Sequence, residues 1–319
     1  MTEKTKSALV TGGAGFIGSH MTDCLIENGW QVTVLDNLST GSSDNLKHLE
    51  DNESLTFVTG DIEDKNLINK LVQGKDAIFH FAAMVSVPLS IEKPEECFRI
   101  NVAAFDNILL ELVDSRIPIF YASSAAVYGN REEGLRKEDE TPNPLSPYGE
   151  SKVTNEKLAL EAWNAFKVPT VGFRFFNVYG PRQNPIGAYA SVIPKFCDAF
   201  ARGTRPIIYG DGSQTRDFIH VKDLVRVLYK MISLSSENAG RVFNVATGSS
   251  VSVNELLLLI ASKMNKAPKA EKRSERLGDI KRSAADISAL RNAIGNDFYF
   301  KRIEEGLKDT VKWYAREAF

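Results

Sequence analysis

The chain has 319 residues, of which 43% are hydrophobic and 25% charged, and its formal net charge is -2. This is the composition of an ordinary globular protein that can bury a large core, either as one α/β domain or as two unequal lobes. It is not basic enough to predict binding to nucleic acid. The polar start and the shortness of the longest apolar run, residues 256–261, argue against a signal peptide and a membrane span, so a cytoplasmic location is expected.

The cysteines are few and scattered. Cys24, Cys97 and Cys197 lie far apart in the sequence, without CxxC spacing and without clustered histidines. An odd, scattered set favours reduced thiols packed in the core over disulfides. No metal site is predicted.

The first half of the chain alternates β-rich runs with helical stretches. Strands are predicted at residues 7–11, 32–35, 56–59, 77–81, 117–122 and 170–173. Helices are predicted at residues 16–28, 94–115 and 148–166. Because a parallel strand pair needs a crossover helix, this rhythm predicts an α/β fold with a doubly wound, Rossmann-type parallel sheet.

After about Phe176 the rhythm breaks, and Gly, Pro and Asn become frequent. We therefore predict a Rossmann domain at residues 1–175 and a second, smaller α/β substrate-binding lobe at residues 176–319. Helices of the second lobe are expected at residues 190–202, 222–233, 252–264 and 303–318. The charge-rich segment 266–282 is interpreted as a solvated loop.

A glycine-rich turn follows the first predicted strand. Gly12, Gly15 and Gly18 form GxxGxxG, and Gly13 in place of Gly12 gives GxGxxG. Such glycines let the chain turn tightly and let a pyrophosphate approach the backbone at a helix N-terminus, which supplies free amides and a favourable dipole. The pattern alone is also compatible with a simple tight turn, but its position after the first strand favours a dinucleotide site.

The second predicted strand runs into Asp36. An acid at this place can accept hydrogen bonds from the ribose hydroxyls of the adenosine. Asn37 and Leu38 follow, so no cation stands beside Asp36 to neutralise a 2'-phosphate, and NAD is favoured over NADP. The alternative interpretation is that Asp36 and Asn37 are only turn residues.

Tyr148 and Lys152 stand one helical turn apart in SPYGESK, which places both side chains on one helix face. A cation near a phenol favours the phenolate, so we expect a lowered tyrosine pKa and a base near neutral pH. Ser124 follows the fifth predicted strand, where open α/β sheets bind ligands, and can bond a reacting oxygen. The alternatives are a surface coincidence for the pair and a turn cap for the serine.

Six motifs occur in order along the chain: TGGAGFIG, DNLSTG, SSAAVYG, YGESK, RFFNVYGPRQ and GDGSQTRDFIHVKDL. Their order and spacing resemble the extended short-chain dehydrogenase/reductase family over nearly the whole chain, and most closely its UDP-glucose and UDP-N-acetylglucosamine 4-epimerases. The resemblance implies that Tyr148 is the base, that Lys152 binds the nicotinamide ribose, and that Ser124 bridges the 4-hydroxyl of a sugar. Residues lining NAD would be Gly12, Gly15, Phe16, Ile17, Gly18, Asp36, Asn37, Ser39, Gly41, Asp61, Ile62, Phe81, Ala82, Ala83, Asn101, Tyr148, Lys152 and Phe176.

The resemblance also implies a UDP-sugar substrate. Asn177, Arg216 and Arg276 would hold its diphosphate, a role that suits a bidentate guanidinium. The implied substrate contacts are Ser86, Ser124, Tyr148, Asn177, Ser191, Val192, Ile207, Tyr209, Arg216, Arg276, Asp279 and Ser283. Family members usually dimerise through two helices per subunit, so a homodimer through the helices at 94–115 and 148–166 is expected.

The implied chemistry is a closed redox cycle through a 4-keto sugar, with no net oxidation. Sugar-nucleotide 4,6-dehydratases of this family need an Asp-Glu pair where this chain has Ala125 and Ala126, and UDP-glucuronate decarboxylases usually carry a glutamate in the same stretch. Those activities and UDP-glucuronate 4-epimerisation are the enzymatic alternatives. A non-catalytic NAD sensor or scaffold is another, although it would have no need of Ser124, Tyr148 and Lys152.

Substrate breadth is linked to Ser283, in GDIKRSAAD. In the family that this chain resembles, a bulky residue at the matching position narrows the pocket near carbon 2 of the sugar. A serine leaves room for an N-acetyl group. We therefore predict activity on UDP-N-acetylglucosamine and UDP-N-acetylgalactosamine, with UDP-glucose and UDP-galactose also accepted.

Overall fold

The computed structural model describes residues 5–130, 134–186, 191–275 and 281–316. The chain forms two compact units. The first unit comprises the described parts of Met1–Gly129, Thr141–Arg174 and Val225–Phe243, and the second those of Asn130–Glu140, Phe175–Leu224 and Asn244–Phe319. The units therefore interleave along the chain, whereas one boundary was predicted at residue 175. The assignment of residues 1–175 to NAD and 176–319 to a UDP-sugar stays a prediction.

The strands and helices are as follows. The strands are β1 (Ser7–Thr11), β2 (Gln31–Asp36), β3 (Leu55–Thr59), β4 (Ala77–His80), β5 (Ile119–Ser124), β6 (Thr170–Phe175), β7 (Asn177–Tyr179), β8 (Ile207–Tyr209), β9 (Thr215–His220), β10 (Arg241–Val245), β11 (Ser250–Ser252), β12 (Glu271–Arg273) and β13 (Arg282–Ser283). The α-helices are α1 (Phe16–Glu27), α2 (Lys65–Val72), α3 (Val87–Glu92), α4 (Pro94–Phe98), α5 (Ala104–Glu111), α6 (Pro147–Glu161), α7 (Val192–Ala201), α8 (Val221–Ile232), α9 (Val253–Lys263), α10 (Ser288–Ile294) and α11 (Ile303–Arg316).

The central sheet has seven strands in the order β10-β6-β5-β4-β1-β2-β3. The pairs β1–β2, β1–β4, β2–β3 and β4–β5 are parallel. Thr11 stands beside Leu35 and His80 in the register, so these strands end at one edge of the sheet. The predicted Rossmann-type α/β fold is confirmed, and its carboxyl edge is where a ligand is expected.

Both faces of this sheet are packed. On one face Leu9, Ile78 and Ile119 lie in a buried cluster with Phe105 of α5 and Ile68 of α2. Side chains alternate along a strand, so neighbouring residues face the other way. There Phe79, Phe120 and Phe173 stack across three strands, with successive ring centroids 5.0 and 6.5 Å apart.

Two predicted helices contain a wider turn. The stretch predicted at 94–115 is α4, a π-helical segment Arg99–Ala103, and α5. The stretch predicted at 148–166 is α6 followed by a second π-helical segment, Ala162–Phe166. Helix α6 begins at Pro147, and the Ser146 hydroxyl caps it by accepting a hydrogen bond from Gly149 N at 3.1 Å.

The second unit contains short strands around β9. Strand β9 pairs with β11, β13 and β7, and β12 pairs with β8. Helices α7, α9 and α11 bury Phe196, Leu256 and Leu307 in a common cluster. The solvated loop predicted at 266–282 is wrong for β12, whose three residues are exposed but whose backbone is paired with β8. Ala190, predicted to begin a helix, lies outside the described residues.

The three cysteines are free thiols. Cys97 and Cys197 are buried, whereas Cys24, expected in the core, is only partly buried on α1. Among the described residues, no group of three or more His, Cys, Asp or Glu could hold a metal ion. Within the same ranges, no helix is both long enough and apolar enough to cross a membrane.

Candidate active site

The turn after β1 can be built only from glycine at two places. Gly12 has a φ of +68°, and a Cβ there would lie 2.6 Å from Ala82 N. A Cβ on Gly18 would lie 2.1 Å from Gly12 O. Helix α1 starts next, with Gly15 at its N-cap, and has neither a side-chain cap nor an acidic residue in its first turn. A helix N-terminus of this kind fits an anion, so the turn fits the diphosphate of a dinucleotide.

Two backbone amides hold the Asp36 carboxylate at the end of β2. Its Oδ2 accepts a hydrogen bond from Ala14 N at 2.9 Å, and its Oδ1 accepts one from Leu38 N at 2.8 Å. The residue is 8% exposed. Each carboxylate oxygen can accept a further hydrogen bond. The carboxylate therefore fixes the glycine turn and still has acceptor capacity for ribose hydroxyls.

The DNLSTG loop closes against the same turn. Asn37 Nδ2 donates to Asp61 Oδ2 at 2.8 Å, which joins the ends of β2 and β3. A Cβ on Gly41 would lie 2.9 Å from the carbonyl carbon of Ala14. Ser39 is exposed on this loop, and Ile62 is buried beside Asp61. Phe16 and Ile17, in the first turn of α1, are partly buried.

Asn101 holds the loop that leaves β4. Its Oδ1 accepts from Met84 N at 2.7 Å, while its Nδ2 donates to Met84 O at 3.0 Å and to Ser151 Oγ at 3.1 Å. The residue lies in the π-helical segment before α5 and is 1% exposed. Asn101 thus holds Met84 in position, and with it the end of the loop that contains Phe81, Ala82 and Ala83.

Ser124, Tyr148 and Lys152 come together at the carboxyl end of β5. Ser124 is the last residue of β5, and its side chain shares a hydrogen bond with Tyr148. Its Oγ also accepts from Ala126 N at 3.1 Å. Lys152 Nζ donates to Ala122 O at 2.9 Å and lies 5.7 Å from the centroid of the Tyr148 ring. The arrangement offers a phenol, a hydroxyl and an ammonium group within one small volume.

The protonation of this group differs from the expectation. Burial raises the pKa of Tyr148, although the hydrogen bond to Ser124 lowers it. Burial also lowers the pKa of Lys152 to about 8, while Cys97 and Glu156 act to raise it. The predicted lowering of the Tyr148 pKa is therefore wrong, because burial outweighs the hydrogen bond to Ser124 and the Lys152 ammonium group donates to a backbone carbonyl.

Ser86 directly precedes α3, the helix that adjoins α6, and Ser90 lies on it. Ser86 caps α3, since its Oγ accepts from Leu89 N at 3.2 Å. Ser90 is buried, and its Oγ accepts from Tyr148 N at 3.1 Å. Helix α3 therefore fixes the first turn of α6, and Ser86 is the N-cap of that helix.

In the second unit, Arg216 and Ser283 are register partners on β9 and β13. Asn177 lies on β7, next to β9, and its Nδ2 donates to Asp217 O at 3.2 Å. The other described residues predicted here are Phe176, buried before β7; Ser191 and Val192, at the start of α7; and Ile207 and Tyr209, on β8. Arg276 and Asp279 lie outside the described residues.

Sequence reasoning missed Asp217, which is fully buried beside Arg216. Its Oδ1 accepts from Thr247 N at 2.9 Å and from Thr247 Oγ1 at 2.7 Å, and its Oδ2 accepts from Gly248 N at 2.8 Å. The carboxylate thereby holds the turn before β11 against the strand that carries Arg216. The signal that could have found it is an acid inside the otherwise apolar end of β9.

Comparison with curated proteins gives relatives along nearly the whole chain. The UDP-glucose 4-epimerase of Mycolicibacterium smegmatis is 34% identical over 313 residues, which cover 97% of this chain and 99% of that one. The human dTDP-D-glucose 4,6-dehydratase is 30% identical over 325 residues, which cover 98% of this chain and 91% of that one. Relatives at this level of sequence identity thus include both epimerases and 4,6-dehydratases by name.

Similar solved structures also match nearly the whole chain. The UDP-N-acetylglucosamine 4-epimerase of Methanobrevibacter ruminantium, solved with UDP-N-acetylmuramic acid, has a TM-score of 0.91 and 39% identity, over 98% of this chain and 99% of that one. The UDP-glucose 4-epimerase of Thermus thermophilus, solved with NAD, has a TM-score of 0.86 and 31% identity, over 98% and 100%. The predicted resemblance to the extended short-chain dehydrogenase/reductases is confirmed, and the cofactor is NAD.

The model of one protein family matches residues 8–246, which run from β1 to β10, the last strand of the central sheet along the chain. It includes the glycine turn, Asp36 and the group formed by Ser124, Tyr148 and Lys152. The chain belongs to the NAD dependent epimerase/dehydratase family.

Proposed function

We propose that this chain is an NAD-dependent UDP-sugar 4-epimerase, an isomerase in which Tyr148 is the base. The observation that carries the proposal is the meeting of Ser124, Tyr148 and Lys152 at the carboxyl end of β5. This group supplies what removal of a proton from a sugar hydroxyl requires: a phenol, a neighbouring cation and a hydrogen-bonding hydroxyl.

In this proposal NAD is held by the glycine turn and Asp36. The diphosphate would lie against the backbone of Gly12, Gly15 and Gly18 and the first turn of α1, and Asp36 would bind the ribose hydroxyls. When bound, NAD would supply reversible hydride transfer at carbon 4 of the sugar. The protein contributes orientation and electrostatics to this exchange.

The chain's own residues move the proton. Ser124 Oγ bonds the 4-hydroxyl of the sugar and orients it toward Tyr148. In its ionised form, which the Lys152 ammonium group stabilises, Tyr148 Oη takes the proton as the 4-keto sugar forms. After the sugar has turned over, the same proton returns to the new 4-hydroxyl, so the cycle needs no further acid or base.

The two residues that follow Ser124 support epimerisation over dehydration, because neither can transfer a proton. Ser124 is followed by Ala125 and Ala126, which open a 3-10 turn and carry no ionisable group. A 4,6-dehydratase must move protons at carbons 5 and 6 as well, and a decarboxylase of this family usually has a glutamate here. The dehydration named for the human relative is therefore less compatible with this site than 4-epimerisation is.

We propose UDP-N-acetylglucosamine and UDP-N-acetylgalactosamine as the main substrate pair, with UDP-glucose and UDP-galactose also accepted. The small side chain of Ser283 supports this breadth, because it leaves room for an N-acetyl group. Ser283 is also the register partner of Arg216, which is proposed to bind the diphosphate with Asn177. The relative from Methanobrevibacter ruminantium, named a UDP-N-acetylglucosamine 4-epimerase, supports the same choice.

Incubation of the purified protein with each UDP-sugar, followed by chromatographic separation of the epimers, tests the activity. Wild type should reach a mixture of both epimers. Tyr148→Phe should lower kcat by about 10²- to 10⁴-fold, because the base is removed, and should still retain NAD. Unchanged turnover in Tyr148→Phe would contradict the proposed base, and an inactive wild type would favour the sensor or scaffold.

Ser283→Tyr tests the substrate range. The larger ring should lower kcat/KM for the acetylated pair by roughly 10- to 100-fold, because a filled pocket excludes the N-acetyl group at a cost of about 1–3 kcal/mol. Turnover of UDP-glucose should change much less. Equal or greater turnover of the acetylated pair by the variant would show that Ser283 does not set the range.

A further inference from the structure

A buried ion pair lies beside the candidate active site. Arg174 Nε donates to Glu156 Oε1 at 2.9 Å, and Arg174 Nη2 donates to Glu156 Oε2 at 2.7 Å. The side chains are only 5% and 10% exposed. A guanidinium that spans both oxygens of one carboxylate fixes the angle as well as the distance between them.

Two further contacts attach this pair to the strand end that carries Ser124. Ser123 Oγ donates to Glu156 Oε1 at 2.5 Å, and Ser123 directly precedes Ser124. Arg174 Nη1 donates to Tyr128 Oη at 2.8 Å, and its guanidinium carbon lies 4.8 Å from the centroid of that ring. Tyr128 ends the short 3-10 turn that Ser124 caps. The pair therefore holds the chain on both sides of Ser124.

Glu156 also fixes the helix that carries the other two groups. It lies on α6, one helical turn after Lys152 and two turns after Tyr148. Arg174 lies on β6, next to β5 in the sheet. One ion pair thus joins the helix of Tyr148 and Lys152 to the strand of Ser124.

Stability alone does not account well for such a pair. Removing two charges from water costs free energy that their attraction barely returns, and well-packed apolar side chains often serve as well. Geometry is what this pair supplies, because two parallel hydrogen bonds hold α6 at one height against β6, and Ser123 ties the same carboxylate to β5. A misplacement of about 1 Å in an active site can cost roughly 100-fold in rate.

We propose that Glu156 and Arg174 are a positioning pair, which sets the distance between the Tyr148 phenol and the Ser124 hydroxyl without touching the substrate. This inference rests on the proposed function for its effect on rate. The groups that face Tyr148 are Ser124 from β5, Lys152 from α6 and Cys97 from α4. Loosening the pair weakens the hydrogen bond to Ser124, a contact that lowers the pKa of Tyr148.

Arg174→Lys is the main test, because it keeps the charge but cannot span both oxygens of Glu156. We expect kcat to fall by about 10- to 100-fold with KM for the UDP-sugar little changed. We also expect Tyr148 to ionise at higher pH, measured without substrate by ultraviolet difference titration of tyrosinate against the Arg174→Lys/Tyr148→Phe double variant.

Thr170→Val is the matched control. Thr170 is buried on β6, and its Oγ1 donates to Ala159 O of α6 at 2.9 Å, so it joins the same two elements away from the site. This variant should lower the melting temperature while kcat and the ionisation of Tyr148 stay at wild-type values. The double variant Glu156→Gln/Arg174→Gln leaves no unpaired charge, so it should fold if Arg174→Lys does not, and its kcat should still be low.

The positioning role is wrong if Arg174→Lys, or the double variant in its place, changes only the melting temperature, as Thr170→Val does. Wild type that is inactive on every UDP-sugar would refute the proposed function instead. The titration of Tyr148 would still decide whether the pair positions the phenol, since it needs no turnover.

Discussion

His220 is a buried histidine at the end of β9. Its ring centroid lies 5.2 Å from that of Tyr179, and its Nδ1 accepts a hydrogen bond from Lys222 N at 3.3 Å. Burial, aided by Lys301 and Lys222, lowers the pKa of His220 to about 3. In an unfolded chain the pKa of this ring is near its usual value of about 6.5. Between those values the unfolded state binds more protons, so the free energy of unfolding decreases as pH falls.

The size of this effect can be measured with His220→Asn, which keeps an acceptor but does not titrate. Between about pH 7.5 and about pH 5.5, His220 should cost wild type about 1.4 kcal/mol of unfolding free energy. Urea unfolding of the variant at both pH values should show a loss smaller by that amount. Tyr179→Phe, which alters the same contact without changing the histidine, should behave like wild type. An equal loss in wild type and His220→Asn would contradict the assignment.

The contact between Tyr148 and Lys152 could be predicted from the sequence, since side chains one turn apart share a helix face. The direction of the Tyr148 pKa could not. It depends on how deeply the first turn of α6 is packed, and on Lys152 Nζ finding Ala122 O, which lies on a different element.

The glycine turn between β1 and α1 is constrained as an element. A side chain on Gly18 would meet Gly12 O and displace the turn from the start of α1. Gly18→Ala should therefore bind NAD at least about 10-fold more weakly, a loss of roughly 1.4 kcal/mol.

NAD released from the purified variant by denaturation, quantified by chromatography, measures this loss. Ser19→Ala is the control, since Ser19 is the next residue of α1 and its Oγ only donates to Phe16 O at 3.1 Å. If Gly18→Ala retains as much NAD as Ser19→Ala, the turn does not hold the cofactor.

The parallel strands of the central sheet could be predicted because they are apolar runs separated by helices. The short strands of the second unit could not. Strand β12 is three exposed charged residues, and β13 is a two-residue strand, so neither shows a hydrophobic pattern. Their pairing depends on the backbone of distant strands, which local sequence does not specify.

At the scale of the whole molecule, the interleaving of the two units was not predictable from composition. Segment Val225–Phe243 belongs to the first unit because it leads into β10, which pairs with β6 at the edge of the central sheet. Such a pairing joins residues far apart in sequence. The homodimer stays a prediction, on helices that expose Leu110 and Leu160.

The central claim is 4-epimerisation, and the position of an isotopic label tests it most directly. UDP-N-acetylglucosamine carrying deuterium at carbon 4 should yield UDP-N-acetylgalactosamine with the deuterium still at carbon 4, as seen by NMR and by an unchanged mass. Tyr148→Phe should form little of this product. Loss of water with deuterium at carbon 6, or no conversion of any UDP-sugar by wild type, would contradict the account.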